Sequence, residues 1–152
     1  MKTLAHAADE AEILRRLAAI RPESQRQWGR MTVGEMICHL SDALKIAMGE
    51  KEASTISNLF TRSVMKWAGL WFPRKWPRGV QTVPECKAGM GGTAPAAMDE
   101  DVSELRGLLE RFVQIPKEFA FPEHSIFGRM THAEWMRWGY LHMDHHLRQF
   151  GA

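Results

Sequence analysis

The sequence predicts an all-α protein, a four-helix bundle with an extra short helix or long loops. Three observations predict it. Two distant stretches open alike, Gly29-Arg30-Met31-Thr32-x-x-Glu35 and Gly128-Arg129-Met130-Thr131-x-x-Glu134. Apolar residues recur at helical spacings of three and four through most of the chain. No segment sustains the apolar–polar alternation of a half-buried strand. With 152 residues, 45% of them hydrophobic, the chain is expected to form a single domain, 1–152, around one sizeable core.

The first helix is expected from about Ala8 to Ile20. Ile13, Leu14, Leu17 and Ile20 form its apolar stripe, Glu12, Arg15 and Arg16 its wet face, and Pro22 stops it. A short linker, Glu23 to Gly29, carries Trp28, expected to pack over the bundle end. The second helix runs from Thr32 to about Gly49, a natural C-terminal glycine. Thr32 is a good N-cap, Glu35 completes a capping box, and Met31 can staple onto Met36. A third helix is expected over Ser54 to Phe72, because Phe60, Val64, Trp67 and Trp71 recur at helical spacing and Pro73 follows. The sequel Pro73-Arg74-Lys75-Trp76-Pro77-Arg78 is basic and aromatic. It reads either as a membrane-surface or anion contact or as a solvated turn after a core helix. Gly79 to Ala97 holds four Gly and two Pro and reads as a long loop, a lid over a site or simply mobile. The fourth helix starts at Asp99 or Asp101 and ends at Val113. Its first turn is acidic, its stripe is Val102, Leu105, Leu109 and Phe112, and Pro116 closes it. Gln114 to Arg129 is irregular. The last helix is capped by Thr131 with Glu134, and its body runs from Trp135 to Phe150.

Bulk properties exclude several classes. A formal charge of only +2 does not argue for a nucleic-acid footprint, which normally needs a clustered basic face, so no nucleic-acid partner is expected. Two cysteines, Cys38 and Cys86, make no disulfide framework and fit a reducing compartment. Asp9, Glu10 and Glu12 interrupt the N-terminus before any signal core forms. No run of ~18 apolar residues exists to span a membrane. The expectation is a cytoplasmic protein. Ten Met and six Trp suit an adaptable pocket, and core filling accounts for them equally well.

The last helix carries the chemistry. His142 and His146 lie about 40° apart around it, on the side of Trp135, Trp138, Gly139 and Phe150. Arg137, Asp144 and Arg148 fall together on the opposite side. The spacing alone is weak, since seven His in 152 residues give about 0.3 such pairs by chance. The second helix strengthens it. His39 lies beside the stripe Met36, Leu40, Ala43 and Ala47. Counted from the cap, His39 is seven residues in, His142 eleven and His146 fifteen. Steps of four keep one helix face, so three imidazoles converge if the two faces meet.

These residues resemble the DinB/YfiT-like superfamily of metalloenzymes. The matching pieces are Met31-Thr32-x-x-Glu35-x-x-x-His39-Leu40 and His142-x-x-x-His146. Trp28 to Thr32 and Leu141 to Gly151 are similar to a branch of that superfamily catalogued as a domain of unknown function. The resemblance implies a four-helix bundle, a divalent metal held by His39, His142 and His146, and a homodimer. It also implies the chemistry of metal-dependent hydrolases, or of transferases that use low-molecular-weight thiols. Where those relatives commonly follow the last His with Arg-Gly-Gln, this chain reads His146-Leu147-Arg148-Gln149.

Three His ligands leave a coordination position open, as in a catalytic zinc site. Imidazole also suits Ni and Fe, so the sequence does not name the metal. The expectation is a metal-dependent hydrolase or thiol-dependent transferase acting on a small molecule. The alternatives are a non-catalytic bundle that binds a metal or small ligand, and histidines that are purely structural. His145, about 60° from His142, reads as a general base or as an edge histidine reaching solvent. Glu35 and Asp42 are candidates to orient His39, although the capping box already explains Glu35 and Asp42 reads as solvated. Cys38 points about 100° from His39 and is not expected to share its metal. Trp135 and Trp138 read as pocket walls or as core. His6, His124 and His132 are expected at the surface.

Overall fold

The computed structural model describes residues 1–72, 75–80 and 82–152. Five α-helices appear among them: α1 (Ala7–Leu17), α2 (Val33–Ala47), α3 (Lys66–Trp71), α4 (Met98–Val113) and α5 (His132–Gln149). A π-helical turn (Thr61–Met65) leads into α3, and a 3₁₀ turn (Pro84–Cys86) interrupts the long loop. Among the described residues there is no strand. Ala88–Gly92 and His124–Gly128 form isolated bridges.

The two repeated openings form as their chemistry dictates. The Glu35 N–H donates to the Thr32 hydroxyl at 3.2 Å, and the Thr32 N–H donates to the Glu35 carboxylate at 2.7 Å. Thr131 and Glu134 repeat both bonds at the same two distances. Each pair satisfies two N–H groups that the first turn of a helix leaves bare.

Helix α2 is the centre of the molecule. It packs most extensively on α4 and also touches α5 and the 3₁₀ turn, while α5 packs on α1 and α3. Met36, Ile37 and Leu40 of α2 meet Leu105, Leu109 and Phe112 of α4 and Trp135, Met136 and Met143 of α5 in one core. At Gly139 on α5 a Cβ would sit 2.7 Å from the Leu4 side chain and 3.0 Å from Phe112. A side chain there would push the N-terminal segment and α4 off α5.

Two expectations need correction here. The third helix does not begin at Ser54. Residues 54–58 carry no regular secondary structure, with the Ile56 N–H bonded to the Ser125 carbonyl. Asn58 and Thr61 exchange two bonds, Thr61 N–H to Asn58 Oδ1 at 3.0 Å and Asn58 N–H to Thr61 Oγ1 at 2.8 Å. That reciprocal cap starts the helix at this point. Its apolar stripe is not core either. Phe60, Val64, Trp67 and Trp71 are exposed, Leu59 is 88% exposed, and in α3 only Leu70 is buried. Periodicity finds an apolar face without saying what covers it. Pro73 and Arg74, which open the basic aromatic sequel, lie outside the described residues.

The charged side of α5 is also covered. Arg137 is 8% exposed, donating Nε to the Leu70 carbonyl at 2.9 Å and Nη1 to the Lys2 carbonyl. Arg16 of α1 reaches Asp144 at 2.9 Å. The last helix therefore has neighbours on both sides, α2 on one and α1 with the N-terminal segment on the other.

Candidate metal centre

His39 projects from the middle of α2 toward α5. Its Nδ1–H donates to the Cys86 carbonyl of the 3₁₀ turn at 3.0 Å, which leaves the Nε2 lone pair 3.0 Å from His142 Nε2. His146, one turn beyond His142, donates its Nδ1–H to Gln149 Oε1 at 3.0 Å. The Gln149 amide then donates to the Trp28 carbonyl at 2.9 Å. Gly29 makes that reach possible. Its φ is +80°, and a Cβ would lie 2.4 Å from Gln149 Nε2. The glycine that opens the repeated motif thus admits the amide that holds a histidine.

One nitrogen from each of His39, His142 and His146 lies within 4.8 Å of the others. Ring centroids are 4.6 Å apart for His39–His146 and 5.0 Å for the other two pairs. A cation ~2.0–2.1 Å from each of three nitrogens in tetrahedral geometry needs N–N edges of ~3.3–3.4 Å. The His39–His142 edge, 3.0 Å, is already close to that spacing. The protonation state fits too. Burial holds His142 and His146 well below the usual imidazole range, and His39 is lowered by burial against the opposing pull of the Cys86 carbonyl. His146 and His39 also depress His142, His39 also depresses His146, and a neutral imidazole is the form that ligates. The donor set fits a divalent cation.

His145 stands half-buried at the edge of the cluster. Its ring stands 5.1 Å from His146, 6.0 Å from Trp28 and 6.1 Å from Trp76. Its Nδ1 is buried and has no partner among the described residues. Burial, then the neighbouring Arg148 charge, lowers its pKa. Trp76 also lies 6.0 Å from His142, pinned by a 2.6 Å bond from its Nε1 to the Gly69 carbonyl. Trp76 therefore packs on the histidines, while its described neighbours Lys75, Pro77 and Arg78 are exposed. Trp138 stands 4.9 Å from His142 and serves as both wall and core, whereas Trp135 stacks on Phe121 in the core.

Other candidates fall elsewhere. Asp42 is buried, not solvated. It accepts from the Thr93 N–H and hydroxyl at 2.7 and 2.8 Å and pairs with Lys51, tying the long loop to α2. The orienting groups are the Cys86 carbonyl and Gln149 instead. Only Gln149 had a sequence signal, its place three residues after His146. Cys38 stays out of the cluster, its thiol pushed up to about 11 by burial and by Asp101. Burial, then Asp42, pushes the Cys86 thiol up to about 12. His124 corrects the surface expectation. It is buried against Phe127, Trp135 and Trp138, and its Nδ1 accepts from the Ile126 and Phe127 N–H groups at 3.1 Å. His6 is exposed, and half-buried His132 bonds the Ile115 carbonyl.

Fold and site together define an all-helical protein with a buried three-imidazole cluster gripped between two of its helices. The chain belongs to the family described as Protein of unknown function (DUF1569), whose model matches residues 2–152. No curated protein and no solved structure matches it. Among the described residues no helix is long and apolar enough to cross a membrane.

Proposed function

We propose that His39, His142 and His146 hold a divalent cation (Zn, Ni or Fe) and that the chain is a metal-dependent enzyme acting on a small molecule. The chemistry is of the hydrolase or thiol-dependent transferase type implied by the DinB/YfiT-like resemblance. One observation carries the reading: three neutral, buried imidazoles converge while separate acceptors fix the outer nitrogens of two of them. When bound, such a cation supplies Lewis acidity at a coordination position the protein leaves open. Trp76 and Trp138 both stand against His142 and would help keep bulk water from the imidazoles. His145 acts as general base, because its Nδ1 is free to accept a proton. The homodimer belongs to the same reading, supported by the exposed apolar row Leu59, Phe60, Val64 and Trp67. Light scattering on a sizing column measures it, and a monomer at all concentrations removes it.

Elemental analysis of protein purified without a His tag tests the metal. The expected content approaches one ion per chain, and less than about 0.2 would end the reading. Alanine at His39, His142 or His146 should each lower it. His145→Ala should keep the metal and lose activity. Metal loss confined to His145→Ala would mean the ligand set is wrong. The reaction itself is found by screening small esters, amides and thiol acceptors with the metal and several thiols present.

A further inference from the structure

A cavity of about 480 Å³ opens beside the histidine cluster, walled by Trp28 and Trp76 and ringed by Lys75, Arg78 and Arg148. This is a small-molecule volume. The Arg78 guanidinium lies over the Trp28 ring, 4.4 Å from its centroid. A guanidinium placed over an indole is steadied by the ring, and its N–H groups suit a two-point bond to a carboxylate or phosphate. Neither Lys75 nor Arg78 has a carboxylate partner among the described residues. Arg148 gives only Nε to Asp144, at 2.9 Å, and keeps its terminal nitrogens. The Ala152 oxygen near the rim is already bonded by Arg16 at 3.0 Å. Lys75 and Arg78 therefore stand at the cavity without a matching anion among the described residues, and Arg148 is only partly matched.

The two indole walls also touch the site. Trp28 and Trp76 flank His145, Trp76 reaches His142, and Gln149 bonds both the Trp28 carbonyl and His146. A molecule bound there would lie against aromatic faces, with a charged end among the cations and its other end toward the imidazoles.

We propose that this cavity binds a small anion, a carboxylate or phosphate carried on an apolar or aromatic body, through Arg78, Lys75 and Arg148. That the anion is the substrate rests on the metal-centre reading; that it binds does not.

Calorimetric titration of the purified protein, as isolated and after chelation, tests it with phenyl phosphate, benzoate and uncharged phenol. Both anions should saturate one site with millimolar or tighter dissociation constants, and phenol should bind at least tenfold more weakly. The tighter of the two anions identifies the recognised group. Arg78→Gln should weaken binding at least tenfold, Lys75→Gln less, and Lys117→Gln, on exposed backbone elsewhere, not at all. Unchanged circular dichroism keeps the variants comparable. Phenol binding as tightly as phenyl phosphate, or unchanged affinity in a Lys75→Gln/Arg78→Gln double variant, would overturn the proposal. Arg78-dependent binding with metal content near zero would leave this site standing and overturn the metal reading. A full metal complement with no anion binding would overturn this proposal alone.

Discussion

Gln149 shows how much one uncharged side chain does at the residue scale. Its carbonyl oxygen holds the His146 ring, and its amide holds the backbone of a cavity wall. Removing it frees the ring without removing a ligand. Gln149→Ala should therefore lower metal affinity about 10–100-fold while the three imidazoles remain, measured by competition with a chromogenic chelator. Unchanged affinity would mean that helix packing alone orients His146. His124 makes a separate prediction. Burial pushes its pKa down to about 4. The unfolded chain takes up a proton near the ordinary value of ~6.5, and the folded chain does not until well below it. Stability from this residue is complete above pH ~6.5 and falls as pH drops toward 4, by about 3 kcal/mol in all. Asn at this position keeps an acceptor for the Ile126 and Phe127 N–H groups but does not titrate. Urea unfolding of His124→Asn should show a shallower acid-side loss than the parent protein. Parallel pH curves would assign the acid sensitivity to the other buried imidazoles.

At the scale of elements, the two capping boxes set where α2 and α5 begin, and so where the histidines stand along them. Thr32→Ala and Thr131→Ala should each cost about 1 kcal/mol in denaturant unfolding, and Ser at either position should recover most of it. Losses below about 0.3 kcal/mol would show that packing fixes both starts without the caps. These starts were legible in the sequence because a cap is local chemistry, three residues wide. The meeting of His39 with His142 and His146 was legible for a related reason: equal openings plus steps of four place side chains on one face. The covering of a face is not local, and there the sequence was silent. The Phe60, Val64, Trp67 and Trp71 row is as periodic as the α4 stripe, yet one lies outside and the other inside. Asp42 reads as solvated until Thr93, 51 residues away, is placed on it. The Cys86 carbonyl has no side-chain signature at all, and Trp76 is held beside the histidines through a bond from its Nε1–H to the Gly69 carbonyl that no spacing rule anticipates.

At the scale of the molecule, the candidate metal centre joins α2 to α5, elements separated by the π-helical turn with α3, the long loop, α4 and the irregular 114–129 segment. A cation bound at all three imidazoles requires both helices folded and docked. The unfolded chain presents the same imidazoles far apart and grips a cation weakly. Binding is then linked to folding, and its stabilisation grows with the logarithm of free metal. At a hundredfold excess over the dissociation constant the gain is about 2.7 kcal/mol. For a domain of this size that raises the melting midpoint by about 5–11 °C. Adding metal to chelated protein should produce this shift with Zn, Ni or Fe in an order that identifies the preferred ion. The His39→Ala protein keeps the His142–His146 pair on α5 but loses the α2 ligand. Its chelated and metal-treated melting curves should nearly coincide, because a cation held by one helix no longer reports on the docking of two. If His39→Ala still showed the full shift, the cation would be sitting on α5 alone, and the junction between the helices would owe nothing to metal.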